Sequence, residues 1–401
     1  MTERSYDYLI VGAGIVGLTV AHELKTRFPF ARIGVLDKEA NAGMHASGRN
    51  SGVLHSGIYY SSDTLKARVC AAGAKRMMDF AREHGIPCSK SGKIIVATSE
   101  RDLPTVDKLL RNATENGIRA WRIDEKELRE LEPFAASGPA AIYSPDTAVI
   151  DSRAVVKRLI VLLEQQGVRI LWRHGVRKVG RPGEVVTDQG ALSYGWLFNC
   201  AGAYADVVAR HFGLAGDYAL VPFKGIYWKL RREAEHLVRA NIYPVPDIDL
   251  PFLGVHLTRV ISGDVYVGPT AIPALGRENY GLIEGIRPLE AASVGYRLAG
   301  MYLRNRYNFR TLAHLELGKY RKHNFLAAAQ RLLPSITAED MIPTPKSGIR
   351  PQLINLRDGK LEMDYIFEHT GRSTHVLNAI SPAFTSSFAF AEMIVSSSNA
   401  V

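Results

Sequence analysis

The sequence predicts an α/β protein. A parallel-sheet domain is interleaved with a second domain built on a mostly antiparallel sheet with helices. Three observations predict it. The chain opens on a strand–helix–strand pattern between Tyr6 and Asp37. Helix–strand alternation returns between Ser152 and Cys200. In between and beyond, residues 220 to 270 are rich in aromatic and β-branched residues punctuated by Pro and Gly, as antiparallel strands are.

Each element follows from its residues. Tyr6 to Val11 is a short apolar, branched run that suits a buried parallel strand. A helix is expected from Ile15 to about Arg27, with Val16, Val20 and Leu24 on one face and Pro29 beyond its end. Ile33 to Asp37 completes a βαβ unit. Helices are expected from Asp63 to His84 and from Leu103 to Asn116, with a strand at Lys93 to Thr98. Ser152 is expected to cap a helix running to Gln166. Strands follow at Val168 to Trp172 and Trp196 to Cys200. Leu220 to Leu230, Phe252 to Leu257 and Val265 to Val267 read as strands of the second sheet. Helices are expected over 290 to 332, then short strands and a final helix after Pro382. The pattern divides the chain into 1–88, 149–216 and 338–401 for one domain, and 89–148 and 217–337 for the other.

At 401 residues the chain exceeds a single ordinary core. With 46% hydrophobic and 22% charged residues it falls in the soluble globular class and outside the disordered and fibrous ones. No apolar run approaches the roughly 20 residues that cross a bilayer. Tyr8 to Ala21 is apolar but broken by glycines and lacks a basic flank, so no signal peptide is expected. Three sparse cysteines (Cys70, Cys88, Cys200) have no metal-like spacing, so no metal is expected, and they suit a reducing, cytoplasmic compartment. The formal charge is +10, concentrated between Arg297 and Arg331, where Glu316 is the single acid. Leu298, Met301, Leu312, Leu315 and Leu326 read as the buried positions there. No nucleic-acid motif accompanies this segment, so no nucleic-acid partner is expected. A solvated helix face is the first reading, and weak contact with an anionic membrane surface the second.

The turn Gly12-Ala13-Gly14-Ile15-Val16-Gly17 joins the first strand to its helix. Gly12 permits the tight turn, Gly14 lets the backbone approach a pyrophosphate, and Gly17 lets helix and strand pack. The helix N-terminus offers amides and partial positive charge to phosphates. Asp37, followed by Lys38, ends the second strand about twenty residues later, where a carboxylate accepts from ribose hydroxyls. This is a Rossmann-type dinucleotide site. The next loop is rich in small residues from Ala46 through Ser47, Gly48, Arg49, Asn50, Ser51 and Gly52 to Tyr60, and such a loop can pass close to a large flat cofactor.

Five stretches carry a family resemblance: Arg49 to Tyr60, Pro251 to Arg259, Val267-Gly268-Pro269, Ser347-Gly348-Ile349-Arg350, and His375 to Ala379 with Ser381-Pro382-Ala383. Together they resemble the D-amino-acid-oxidase-like FAD enzymes, and within them the L-2-hydroxyglutarate oxidases and dehydrogenases. The resemblance implies an FAD-binding Rossmann-type domain, non-covalent FAD, and oxidation of a small 2-hydroxy acid. It implies a small anionic substrate, and oxygen or a membrane quinone as electron acceptor. A cytoplasmic protein, peripheral at the inner membrane face when it uses a quinone, follows. Two positions depart from the family. Arg49 stands where a His is common, and Lys224-Gly225-Ile226-Tyr227 replaces Arg-Gly-Glu-Tyr, which removes a charge near the expected substrate face. Both leave open an amino acid, a secondary amine or another hydroxy acid as substrate. A flavin-containing binding module acting through the basic segment is the reading from a different class.

Hydroxy-acid oxidation needs a base near neutrality, and His55 and His256 are the two candidates. It also needs a guanidinium for the carboxylate. Arg350 resembles the carboxylate-binding arginine of the amino-acid oxidases, and Arg259 is a candidate for a second carboxylate. Lys224, Tyr227 and Tyr60 are further pocket candidates. Cys200-Ala201-Gly202 resembles the fold's second dinucleotide contact, and Val176 the position beside the adenine. The helix opened by Ser381, Pro382, Ala383, Phe384 and Thr385 would stabilise negative charge on the reduced flavin.

Overall fold

The computed structural model describes residues 4–247 and 252–400. Pro251, at the head of one resembling stretch, lies outside them.

Strand Ser5–Val11 is the centre of the first sheet. It pairs in parallel with Ile33–Leu36 on one side and Gly190–Asn199 on the other. Parallel strands Arg169–Leu171 and Ser373–Asn378 extend it. The hairpin Val176–Val179 and Glu184–Thr187 adds antiparallel strands on the Gly190–Asn199 side. Strand Ile33–Leu36 is buried throughout, as its unbroken apolar run requires. Helices Ile15–Arg27, Leu65–Glu83, Ser152–Gln165 and Ala383–Ser397 contribute to one core with Ile10, Trp196 and Phe198 of the sheet.

The second sheet is organised by Tyr218–Leu230, which pairs along most of its length with Met341–Asn355, antiparallel. From Tyr218–Leu230 the order continues through Val265–Gly268, His256–Arg259, Asn241–Pro244, Lys93–Ala97, Ala140–Ser144 and Trp121–Ile123. One pair in it, Asn241–Pro244 with Lys93–Ala97, is parallel. A small third sheet of Val53–Leu54, Ala148–Ile150 and Cys88–Lys90 runs between the segments.

Several expectations change. Asp151, not Ser152, caps the helix Ser152–Gln165: its carboxylate accepts from the amides of Arg153 and Ala154. Both side-chain types can cap, so sequence spacing alone left the choice one residue loose. The late short strands are replaced in part by the single long strand Met341–Asn355, because it follows Tyr218–Leu230 across the whole sheet. Residues 252 to 255 are not strand; pairing starts at His256. The basic segment forms three helices, Pro288–Arg304, Phe309–Gly318 and Lys322–Gln330. Leu315 is exposed rather than buried. Glu316 is buried rather than solvated; it accepts from the Ala271 amide and pairs with Lys319. Among the described residues, no helix is long and apolar enough to cross a membrane.

Candidate active site

One cavity of about 1180 Å³ reaches from the glycine turn to the second sheet. Single small-ligand sites are roughly 300–1,000 Å³, so there is room for a ligand larger than a metabolite. Gly12, Gly14, Ile15 and Val16 line one end, with Asp37, Val176, Cys200, Ala201 and Gly202. Ser47, Arg49, Asn50 and Ser51 line its length, and Ser381 to Thr385 close the far end.

The turn is built tightly. Gly12 has φ +106°, and a Cβ there would lie 2.5 Å from the Cys200 carbonyl oxygen. Gly12→Ala is therefore expected to yield protein that does not retain the yellow cofactor, read by absorbance after gel filtration. The Asp37 carboxylate accepts from the amides of Ala13 and Glu39, and burial pushes its carboxyl up from the usual value. The Ser47 hydroxyl accepts from the Ile15 amide and joins the loop to the first turn of the helix.

Three predicted cofactor residues act through packing instead of lining the cavity. A Cβ on Gly17 would meet the Gly12 carbonyl, one on Gly48 the Gly43 carbonyl, and one on Gly52 the Ile150 carbonyl. Lys38 does line the cavity, but its ammonium is held by Glu39, Glu278 and His45. Glu39, His45 and Glu278 have metal-like spacing, and Lys38 supplies the cation among them. Glu278 belongs to a segment that straps the cavity: it also accepts from the Tyr204 hydroxyl, while nearby Tyr280 bonds His45 at 2.7 Å. Sequence reading missed this strap, whose partners lie in distant segments of the chain.

The substrate end collects His55, His256, Arg350, Tyr60 and Tyr227, all lining the cavity. His256 and the Tyr243 ring stack with centroids 3.9 Å apart. The His256 Nδ1 lies 3.0 Å from the Gly254 carbonyl oxygen, which only accepts. Nδ1 therefore carries the proton and Nε2 is left as an acceptor. Burial pulls both His55 and His256 down to about 3, so both rings are neutral. Arg350 donates to the Thr270 carbonyl at 2.6 Å, and its guanidinium carbon lies 5.7 Å from the Phe252 ring centroid.

Two predicted substrate residues point elsewhere. Arg259 donates to the carbonyls of Val238, Gly263 and Glu235 and does not line the cavity. It is three residues from His256 on one strand, and an odd spacing places it on the opposite face. Lys224 donates to the Gly281 carbonyl, again off the cavity. Strand alternation sends Gly225 and Tyr227 to the cavity, and Lys224 and Ile226 away from it. Ile226 packs on the cluster containing Phe325, so the missing family charge is not lost from the cavity. The Arg49 guanidinium stacks on the Tyr280 ring, 3.9 Å from its centroid. Tyr59, inside the resembling stretch Arg49 to Tyr60, also lines the cavity, as do Tyr243 and Lys66, which carried no sequence signal.

A Rossmann-type turn with its acid, one elongated cavity, and neutral histidines beside a half-buried arginine define a dinucleotide-dependent oxidoreductase. The chain belongs to the FAD dependent oxidoreductase family, whose model matches residues 7–397. It is similar to the mitochondrial L-2-hydroxyglutarate dehydrogenase of Nematostella vectensis: 36% identical, over 97% of this chain and 89% of that one. It is 35% identical to the L-2-hydroxyglutarate dehydrogenase of Indibacter alkaliphilus, over 95% of this chain and 96% of that one. Its fold is similar to that of L-alpha-glycerophosphate oxidase from Mycoplasma pneumoniae, with a TM-score of 0.75 at 22% identity, over 98% of this chain and 94% of that one. The cavity suits FAD: the carboxylate and glycine turn stand at one end, and a helix N-terminus at the other.

Proposed function

We propose that this enzyme oxidises a small 2-hydroxy acid, L-2-hydroxyglutarate foremost, to the 2-oxo acid. The observation that carries this is Arg350 and two neutral histidines lining one cavity with the cofactor turn. The named activity of the relatives at 35–36% identity supports the choice of substrate.

FAD, which the glycine turn, Asp37 and the Ser381–Thr385 segment would hold, would supply the hydride acceptor for the carbon that bears the hydroxyl. The protein does the rest. Arg350 holds the 2-carboxylate, since a planar guanidinium matches two oxygens. His256 Nε2 takes the hydroxyl proton, with its tautomer set by Gly254. His55, whose ring is also neutral, orients the same hydroxyl. Tyr60 and Tyr227 pack around the substrate. The helix Ala383–Ser397 points its N-terminus at the cavity and stabilises negative charge there.

The amine reading draws on Arg49 and Ile226. Ile226 faces away from the cavity, and Arg49 is engaged with Tyr280 and the Met44 carbonyl. Steady-state rates over a panel of hydroxy acids, amino acids and secondary amines test the choice. L-2-hydroxyglutarate is expected to give the highest kcat/KM; a secondary amine or amino acid ahead of it would overturn the assignment.

Oxygen or a membrane quinone takes the electrons, in a cytoplasmic setting that the buried free thiols of Cys70 and Cys200 suit. Helix Pro288–Arg304 exposes Leu289, Tyr296 and Leu303, which supports peripheral contact with a membrane.

A further inference from the structure

Most cations lining the cavity are already engaged. Lys38 is held by Glu39 and Glu278, Arg277 by Asp206 and Glu290, and Arg177 by Asp188. Arg287 faces Glu278, Arg49 stacks on Tyr280, and Lys108 is exposed. Arg350 and Lys66 remain.

Lys66 is only 4% exposed, yet it lines the cavity. Among the described residues its ammonium has no hydrogen-bond or salt-bridge partner. The nearest rings are those of Tyr60, with its centroid 5.4 Å from Nζ, and Tyr365, at 6.0 Å. Asp364 is close in the fold, but its carboxylate accepts from the backbone amides of Leu65, Lys66 and Tyr365. A buried ammonium with no hydrogen-bond partner is costly, and burial pulls Lys66 down to about 8 against the opposing pull of the Asp364 charge. An anion entering the cavity would offset that cost. Arg350 and Lys66 come from different walls: the strand Met341–Asn355 and the helix Leu65–Glu83. A point charge on a flexible stem suits a carboxylate at the far end of a short chain.

We propose that Lys66 receives the distal carboxylate of a dicarboxylic 2-hydroxy acid and so makes the site selective for dicarboxylates. This rests on the hydroxy-acid reading above and takes over the role first expected of Arg259.

The test compares L-2-hydroxyglutarate with L-2-hydroxyvalerate, which has the same chain length and an uncharged end, on wild type, Lys66→Met and Lys66→Arg. Lys66→Met is expected to raise KM for the dicarboxylate about 10- to 150-fold, the loss of one hydrogen-bonded charge. KM for hydroxyvalerate and the spectrum of bound FAD stay unchanged, and Lys66→Arg recovers part of the selectivity. Equal losses on both substrates, or a changed flavin spectrum, would assign Lys66 to the cofactor and overturn the proposal. If Lys66→Met does not accumulate with FAD, Lys66→Arg decides: weakened selectivity supports the proposal and unchanged selectivity overturns it. A wild type that does not prefer the dicarboxylate would sink the hydroxyglutarate reading itself. A wild-type preference that survives in Lys66→Met would sink this inference alone.

Discussion

Arg350→Met is expected to lower kcat/KM for the hydroxy acid by about 10²–10⁴-fold, mostly through KM, while FAD stays bound. Arg350 is half-buried in the cavity wall, and desolvation there pulls its guanidinium down from the usual value. One nitrogen is committed to the Thr270 carbonyl, which fixes the fork and leaves the other nitrogen donors for a carboxylate. Removing one partner of a buried ion pair costs about 3–5 kcal/mol, which sets the size of the effect. Arg350→Lys should recover only part of it, because an ammonium lacks the planar fork. Arg259→Met is the control. Its guanidinium ties together the carbonyls of Val238, Gly263 and Glu235, so it should lower the unfolding midpoint and leave KM alone. A KM change at Arg259 with none at Arg350 would reverse the two assignments.

His256→Asn is expected to lower kcat by about 10²–10⁴-fold, the contribution of a positioned general base. Asparagine keeps a polar group of similar size but has no basic nitrogen. His55→Asn should cost less, because it orients the hydroxyl and does not take the proton. The pH profile follows from burial. A neutral base is competent only above its own pKa, and burial pulls both histidines far below the ordinary 6.5. The acid limb of kcat/KM should therefore fall below pH 6.5. The same shift acts on folding. The unfolded chain protonates these rings near 6.5 and the folded one near 3, so stability is full above 6.5 and declines as pH falls through that window. An acid limb at or above 6.5 in a fully folded sample would contradict the assignment.

The cofactor end was legible in the sequence because its chemistry is local. Gly12 and Gly14 work through their backbone and Asp37 through its carboxylate, all within one strand–helix–strand unit. The substrate end was legible only in part. Arg350, His55 and His256, which sit in recognisable stretches, do reach the cavity. Arg259 and Lys224 were misplaced because side-chain direction in a strand alternates, and one step of register decides which face is met. Ile226 looked like a lost charge for the same reason. Lys66 gave no signal because a lysine early in an amphipathic helix reads as a solvated residue. Only the packing of Tyr60 and Tyr365 around it reveals a buried cation.

We propose that one cavity joins bound FAD to a carboxylate-holding arginine and a neutral base for a hydroxy acid. The decisive experiment is anaerobic mixing of the purified yellow protein with L-2-hydroxyglutarate. The flavin absorbance is expected to bleach, with one 2-oxoglutarate formed per flavin reduced. A flavin that stays oxidised with every 2-hydroxy acid, and bleaches with an amine or amino acid, would contradict it.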